Sequence, residues 1–262
     1  MHILERRSDE MTKPLIYPVG STDACRFAAD YLAAEKIALV DHPTPEVTHL
    51  LLDVPSFADM GILRSGEDIR KILSMLPSDI TVIGGNLNDL SLFTYQKLDL
   101  LKCQRYLAVN AAITADCALR VAAPLLKTTF TDTPTLILGW GRIGKCLGQL
   151  LKTMGVPVTI AARKESDRAM AEALGFDTVD YLNIEGHLSK MGLIFNTVPE
   201  MVLSAEQLSA CRNCIKIDLA SKPGIEGKDV AIARGLPGKY APESSGRLIA
   251  QTILQHFKEA SL

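Results

Sequence analysis

Thr135-Leu136-Ile137-Leu138-Gly139-Trp140-Gly141-Arg142-Ile143-Gly144 is the stretch that decides the fold. An apolar run ends on G-x-G-x-x-G, a helical segment opens at once over residues 142–154, and a second strand is expected over 157–162. That is a βαβ unit of about 30 residues, the setting in which the glycine pattern carries meaning. Gly139 permits the tight turn, Gly141 lets a pyrophosphate approach the backbone, and Gly144 lets helix and strand pack closely. Unpaired N–H groups and the positive end of the helix dipole then attract phosphate. Residues Gly139, Trp140, Gly141, Arg142, Ile143 and Gly144 are therefore expected to hold a dinucleotide.

The end of the second strand bears on which dinucleotide. NAD sites place an Asp or Glu there to accept from the ribose 2′-OH. Here the strand runs into Ala162-Arg163-Lys164, and Glu165 comes only afterwards. A carboxylate about 4 Å from a 2′-phosphate would cost roughly 1–4 kcal/mol per unit charge. Arg163 offers a fork of donors that matches a phosphate, with Lys164 and Ser166 beside it. NADP is the expected cofactor and NAD the weaker alternative. Asn196-Thr197-Val198-Pro199 closes a further strand at 193–195, where an open parallel sheet meets its ligand. These four residues are assigned to the cofactor as well, against the alternative of a plain strand-to-loop turn.

Outward from this unit, continuous apolar runs alternate with segments of helical period, the mark of parallel strands covered on both faces. Strands are expected at 15–19, 37–40, 49–54, 80–83 and 105–109, and helices at residues following Gly20-Ser21-Thr22-Asp23, at 67–76 and at 90–102. A helical segment at 110–127 leads through Thr131-Asp132-Thr133-Pro134 into the dinucleotide unit, which continues with helix 165–174 and strands at 215–219 and 230–233. A last helix spans 244–258. The fold class is α/β, with two open, mainly parallel sheets flanked by helices. The expected division is residues 1–113 with the C-terminal helix 244–262, and a Rossmann domain over 114–243.

The bulk numbers exclude other classes. The 262 residues are 47% hydrophobic and 22% charged, with a formal charge of −2. Charges of both signs alternate along the chain, so neither nucleic acid nor an anionic membrane is an expected partner. No run reaches the ~18 consecutive apolar residues of a spanning helix, and residues 1–13 read as a polar leader, so a cytoplasmic location is expected. Among six cysteines only Cys211 and Cys214 have a suggestive spacing; with no second pair or nearby histidines, helix-end packing is the better reading and no metal is expected.

The strings from Asn196 onward go further. N-T-V-P is followed by Asp218-Leu219-Ala220-Ser221-Lys222-Pro223-Gly224, by Gly235-Leu236-Pro237-Gly238-Lys239-Tyr240-Ala241-Pro242, and by Ser245-Gly246-Arg247-Leu248-Ile249. Together with Leu138-Gly139-Trp140-Gly141-Arg142 and Ala162-Arg163, this order resembles the A-subunit family of bacterial dipicolinate synthase, from about residue 104 to 255. The resemblance implies an NADP-dependent oxidation of a hydroxylated tetrahydrodipicolinate to the aromatic dicarboxylate of bacterial spores. It implies that the partner is a flavoprotein-like B-subunit, and it implies a distant similarity to D-2-hydroxyacid dehydrogenases. A homo-oligomer is only the common default.

For the small dicarboxylate substrate, position assigns Lys222 to a carboxylate and Ser221 and Ser245, with Ser244, to a substrate oxygen. Asp218 is a candidate proton acceptor, against the alternative of a turn cap. The loop 235–242 is expected to border the nicotinamide, with Asn110 and Thr114 facing it. Departures from the family matter: the first domain is shorter than is usual there, and the loop from Lys222 to Ala231 is shortened. Lys222 stands where the family more often has Arg, which gives up bidentate geometry. None of the five histidines falls within 218–246, which disfavours the His acid/base of D-2-hydroxyacid dehydrogenases. Two other readings stay open: a dehydrogenase of another small carboxylate, and a non-catalytic, regulatory dinucleotide-binding protein.

Overall fold

A computed structural model describes residues 13–260 apart from 210 and 212. The expected leader at 1–12 and the middle Arg212 of the Cys211–Cys214 spacing lie outside the described residues. The chain divides into two compact units, one made of residues up to Tyr106 with Pro242 onward, the other of Leu107–Ala241.

The first unit contains β1 (Leu15–Pro18), α1 (Asp23–Ala34), β2 (Ala38–Leu39), β3 (His49–Leu51), β4 (Phe57–Asp59), β5 (Ile62–Leu63), α2 (Ile69–Leu73), β6 (Thr81–Gly84) and β7 (Gln96–Asp99). Five of these strands form a parallel sheet in the order β2-β1-β3-β6-β7, while β4 and β5 make a separate antiparallel hairpin. That order is the flavodoxin-like form of doubly wound sheet, with its switch point between β1 and β3. Leu50, Leu52 and Val82, each essentially inaccessible, fill one core.

α3 (Gln104–Ala122) leads into the second unit, which contains β8 (Thr135–Leu138), α4 (Arg142–Thr153), β9 (Val158–Ala161), α5 (Glu165–Ala173), β10 (Asp177–Val179), α6 (Glu185–Leu188), β11 (Leu193–Asn196), α7 (Ala205–Leu208), β12 (Ile215–Asp218), β13 (Val230–Ile232) and α8 (Leu236–Tyr240). The closing helix α9 (Pro242–Ala260) returns to the first unit, where Leu248, Ile249 and Ile253 are buried and the helix packs along α1. The second sheet is parallel throughout, in the order β10-β9-β8-β11-β12-β13. Counted along the chain this is 3-2-1-4-5-6, the Rossmann order, with its switch point between β8 and β11.

Several sequence expectations are corrected. Residues 105–109 form not a strand but the first turns of α3, since a short apolar run has no periodicity of its own and Ala108, Ala111 and Ala112 carry it into a helix. The helix expected at 90–102 is two 3₁₀ turns around β7. The Asp99 carboxylate accepts from the N–H groups of Asn86, Leu87 and Leu101, which fixes that corner and stops a helix. The 235–242 loop contains the short helix α8, entered through Gly235 at φ 64°. β4, β5 and β10, of two or three residues each, left no readable alternation. α3 with its 3₁₀ extension to Leu125 is by length and composition apolar enough to cross a membrane. It nevertheless buries Ala115, Cys117, Ala118 and Ala122 in the core of the second unit.

In the first unit His49 sits edge-on to the Phe257 ring, with centroids 4.9 Å apart, and its Nδ1 is 2.7 Å from Thr48 Oγ1. Burial, and then the neighbouring His256, pull its pKa down to about 4 from the ordinary 6.5. The fold therefore favours neutral His49. The stability this site lends is complete above pH 6.5 and falls as pH drops toward 4, because the unfolded chain takes up the proton first. The melting temperature of the wild type is expected to fall between pH 6.5 and 4 more steeply than that of His49→Phe; equal slopes would exclude this site as the cause.

Candidate functional site

The loops leaving β8, β9, β11 and β12 meet at one edge of the second sheet. Gly139 adopts φ 99°, and a Cβ there would lie 2.7 Å from Thr197 Oγ1 and from Val198 Cγ2. At Gly144 a Cβ would overlap the Gly139 carbonyl oxygen. Those two glycines are required by the protein itself. Gly141 is different: a Cβ there would meet nothing within 4 Å. It is the N-cap of α4, and no side chain caps that helix. The free space lies against a cavity of about 210 Å³ whose lining includes Asn110, Gly141, Arg142, Ile143 and Thr197. A helix of 12 residues whose N-cap, Gly141, makes no side-chain cap hydrogen bond suits an anion, so the residues present fit a dinucleotide pyrophosphate.

Trp140 turns its ring away from this turn. It is 6% exposed, packs at 68° to Phe176 with centroids 5.3 Å apart, and belongs to the core. What Trp140 brings to the turn is therefore its backbone, while its side chain belongs to the core.

Asn196 is also turned inward. Its side chain is inaccessible; Nδ2 donates to Val198 O (3.0 Å) and Asp218 Oδ1 (2.9 Å), while Oδ1 accepts from Val198 N (3.0 Å). Thr197 Oγ1 donates to Leu138 O at 2.8 Å. Asp218, 1% exposed, accepts in addition from Ala220 N (3.0 Å) and Gly224 N (2.8 Å). Both residues thus tie the loops after β11 and β12 together, and the carboxylate assigned to proton transfer has its oxygens taken by three N–H donors. Ser221 and Lys222 are exposed on the loop those bonds shape.

At the end of β9, Arg163 is 75% exposed, and its Nη1 lies 3.8 Å from Glu200 Oε2, itself 70% exposed. Lys164 and Ser166 are exposed beside it, and Pro199 is exposed on the facing loop. Tyr181, on the loop after β10, has its phenol raised to about 12, chiefly by burial, with Arg163 lowering it and Asp167 and Glu200 raising it. Sequence reasoning missed Glu200 because it is 37 positions from Arg163 in the chain. It also missed Arg168, which donates to Ala162 O (2.7 Å) and Arg163 O (3.0 Å) and pairs with Asp180 at 2.6 Å. Arg234 is a third omission: its Nε donates to Ala220 O at 2.9 Å. A basic residue directly after the 230–233 strand was the available signal.

Thr114 donates its hydroxyl to Asn110 O on its own helix at 2.7 Å, so it caps nothing else. Ser245 is buried in α9 of the first unit, and its Oγ has no partner among the described residues. Cys211 and Cys214 are both buried; burial raises the first thiol and pushes the second up to about 12, and Cys211 Sγ donates to Leu188 O. Among the described residues no three His, Cys, Asp or Glu side chains gather as a metal site.

The sheet orders and the glycine turn define the class: a two-unit, doubly wound α/β protein whose second unit is of Rossmann type. The particular protein it is similar to is the A-subunit of dipicolinate synthase. The Bacillus subtilis (strain 168) protein is 23% identical over 243 residues, covering 85% of this chain and 82% of the relative, so the likeness extends beyond the strings at 104–255. The crystal structure of the Bacillus halodurans protein of that name matches with a TM-score of 0.82 at 21% identity, over 93% of this chain and 97% of that one. An L-alanine dehydrogenase structure matches with a TM-score of 0.65 at 13% identity, over 93% and 80%. No family model matches the chain.

Replacing Asp218 by Asn removes the charge that three N–H groups converge on and sets an amide against one or more of them. Each lost bond to a buried charged acceptor costs about 1–3 kcal/mol. The expected result is a fall in melting temperature of about 5–10 °C. An unchanged melt with turnover lost would instead mark Asp218 as a proton acceptor alone.

Proposed function

We propose that this chain is an NADP-dependent oxidoreductase of the dipicolinate synthase A-subunit type, oxidising a hydroxylated tetrahydrodipicolinate to dipicolinate beside a flavoprotein-like B-subunit. The observation that carries the reading is the glycine turn at 139–144. Gly139 and Gly144 are demanded by contacts within the protein, whereas Gly141 keeps open the space in front of an uncapped helix. When bound, the nicotinamide would supply a two-electron hydride acceptor. The chain's own part is binding and alignment. The first turn of α4 takes the pyrophosphate, and Arg163, with Lys164 and Ser166, takes the 2′-phosphate. Lys222 and Ser221, exposed after β12, take a substrate carboxylate and a substrate oxygen. A cytoplasmic place in sporulation, with the chain as a homo-oligomer, belongs to the same reading.

A second reading, a dehydrogenase of a different small carboxylate, is favoured by Lys222 in place of a bidentate Arg. The described histidines, His42, His49, His187 and His256, also stand outside the lining of the cavity at the glycine turn. Turnover separates the two readings, through dipicolinate formation from the lysine-pathway precursor with the B-subunit present.

Fluorescence titration of the purified protein with NADPH and NADH comes first. NADPH is expected to bind more tightly, and Arg163→Ala to cut that preference a few-fold, the worth of a solvent-screened charge. Preference for NADH overturns the NADP assignment. Binding of neither overturns the dinucleotide reading itself.

A further inference from the structure

The Arg163–Glu200 pair is an unusual neighbour for a 2′-phosphate site. Glu200 comes from the loop after β11, not from the end of β9 where a ribose-binding acid normally stands. It reaches Arg163 because Asn196, Asp218 and Thr197 fold that loop back over the Gly139 turn. Glu200 O also crowds Gly224, where a Cβ would lie 2.7 Å away, so the backbone that carries this carboxylate is held closely. On the other side, Arg168 binds the carbonyls of Ala162 and Arg163 and is anchored by Asp180. The backbones that carry Arg163 and Glu200 are thus both held, and their exposed side chains come within 3.8 Å of each other at the end of β9. The remaining charges nearby are Lys164, Glu165 and Asp167 on the start of α5, with the Tyr181 phenol on the loop after β10.

Resting on the NADP reading above, we propose that Glu200 is a specificity-determining residue that opposes Arg163 and leaves the site open to both dinucleotides. With NAD, the carboxylate accepts from the ribose 2′-OH. With NADP, Arg163 exchanges Glu200 for the 2′-phosphate, and the displaced carboxylate then stands near that phosphate and repels it. Arg163 favours one cofactor and Glu200 the other. Both side chains are mostly exposed, so each effect is that of a solvent-screened charge, a few-fold in affinity and weaker at high salt.

The test is Glu200→Gln, titrated with NADPH and with NADH beside the wild type at low and at high salt. At 70% exposure the side chain is outside the core, and an unchanged thermal melt verifies the fold. The NADPH-to-NADH affinity ratio is expected to rise about fivefold at low salt, through tighter NADPH and weaker NADH, and the rise to shrink at high salt. A rise of roughly threefold or more supports the assignment. A smaller rise, or a shift toward NADH, overturns it while leaving the dinucleotide reading intact. If the wild type binds neither cofactor, the earlier reading fails and this one fails with it, so the two failures are told apart by the wild-type titration alone.

Discussion

The N–H groups at the start of a helix must find acceptors, and how this requirement is met at the two switch points governs the rest of the molecule. In the first unit, Asp53, 3% exposed and just beyond β3, meets it from within. Its carboxylate accepts from Ser21 N, Thr22 N and both hydroxyls of those residues at 2.5–3.2 Å, while Thr22 caps α1. The start of α1 is filled by the protein's own anion. In the second unit the buried carboxylate, Asp218, lies two strands from the glycine turn and is used to join loops. The N-cap of α4, Gly141, makes no side-chain cap hydrogen bond. Two sheets of the same general design therefore differ in one respect: the helix start at one switch point is met by an aspartate, and at the other the N-cap glycine makes no side-chain cap bond.

The glycine turn before α4 is kept by packing rather than by charge. Gly139 and Gly144 bring β8, α4 and the loop after β11 so close that no side chain fits between them. Trp140, the bulkiest residue of the motif, is buried against Phe176 and clears the turn. Asn196 and Asp218 then fix the neighbouring loops by side-chain bonds to backbone, since an irregular loop has no ladder to satisfy its polar groups. The scaffold residues are accordingly buried, and the groups left to meet a ligand stand out from them on exposed loops.

This division explains what was legible in the sequence. The glycine turn, the strands at 135–138 and 215–218 and the helix at 142–153 could be read because their signals are local: period, glycine spacing and strand-to-helix order. The region between 90 and 109 could not. Its short apolar runs suit helix and strand equally, and the outcome depends on Asp99 accepting from N–H groups 12 and 13 positions earlier. Asn196 and Asp218 were recognised as belonging at the site, but whether they face a ligand or each other is a matter of rotamer and depth, which spacing does not encode. Glu200 and Arg168 act through contacts made only after the loops have folded together.

The same division bears on how the site is free to vary. Changing Asp218, Asn196 or Gly144 alters buried bonds or contacts on which the sheet edge depends, and the cost falls on folding. Changing Arg163, Glu200 or Lys222 alters exposed charges, whose worth to stability is near zero but whose effect on an anionic ligand is direct. A chain sharing 23% of its residues with the dipicolinate synthase A-subunit of Bacillus subtilis can therefore keep the Rossmann edge intact while its charge pattern drifts. Lys222, and Glu200 opposite Arg163, are exposed charges of this kind. Their consequence falls on whatever approaches the sheet edge and not on the fold, because exposed charges act through the solvent while the buried bonds of Asn196 and Asp218 hold the loops.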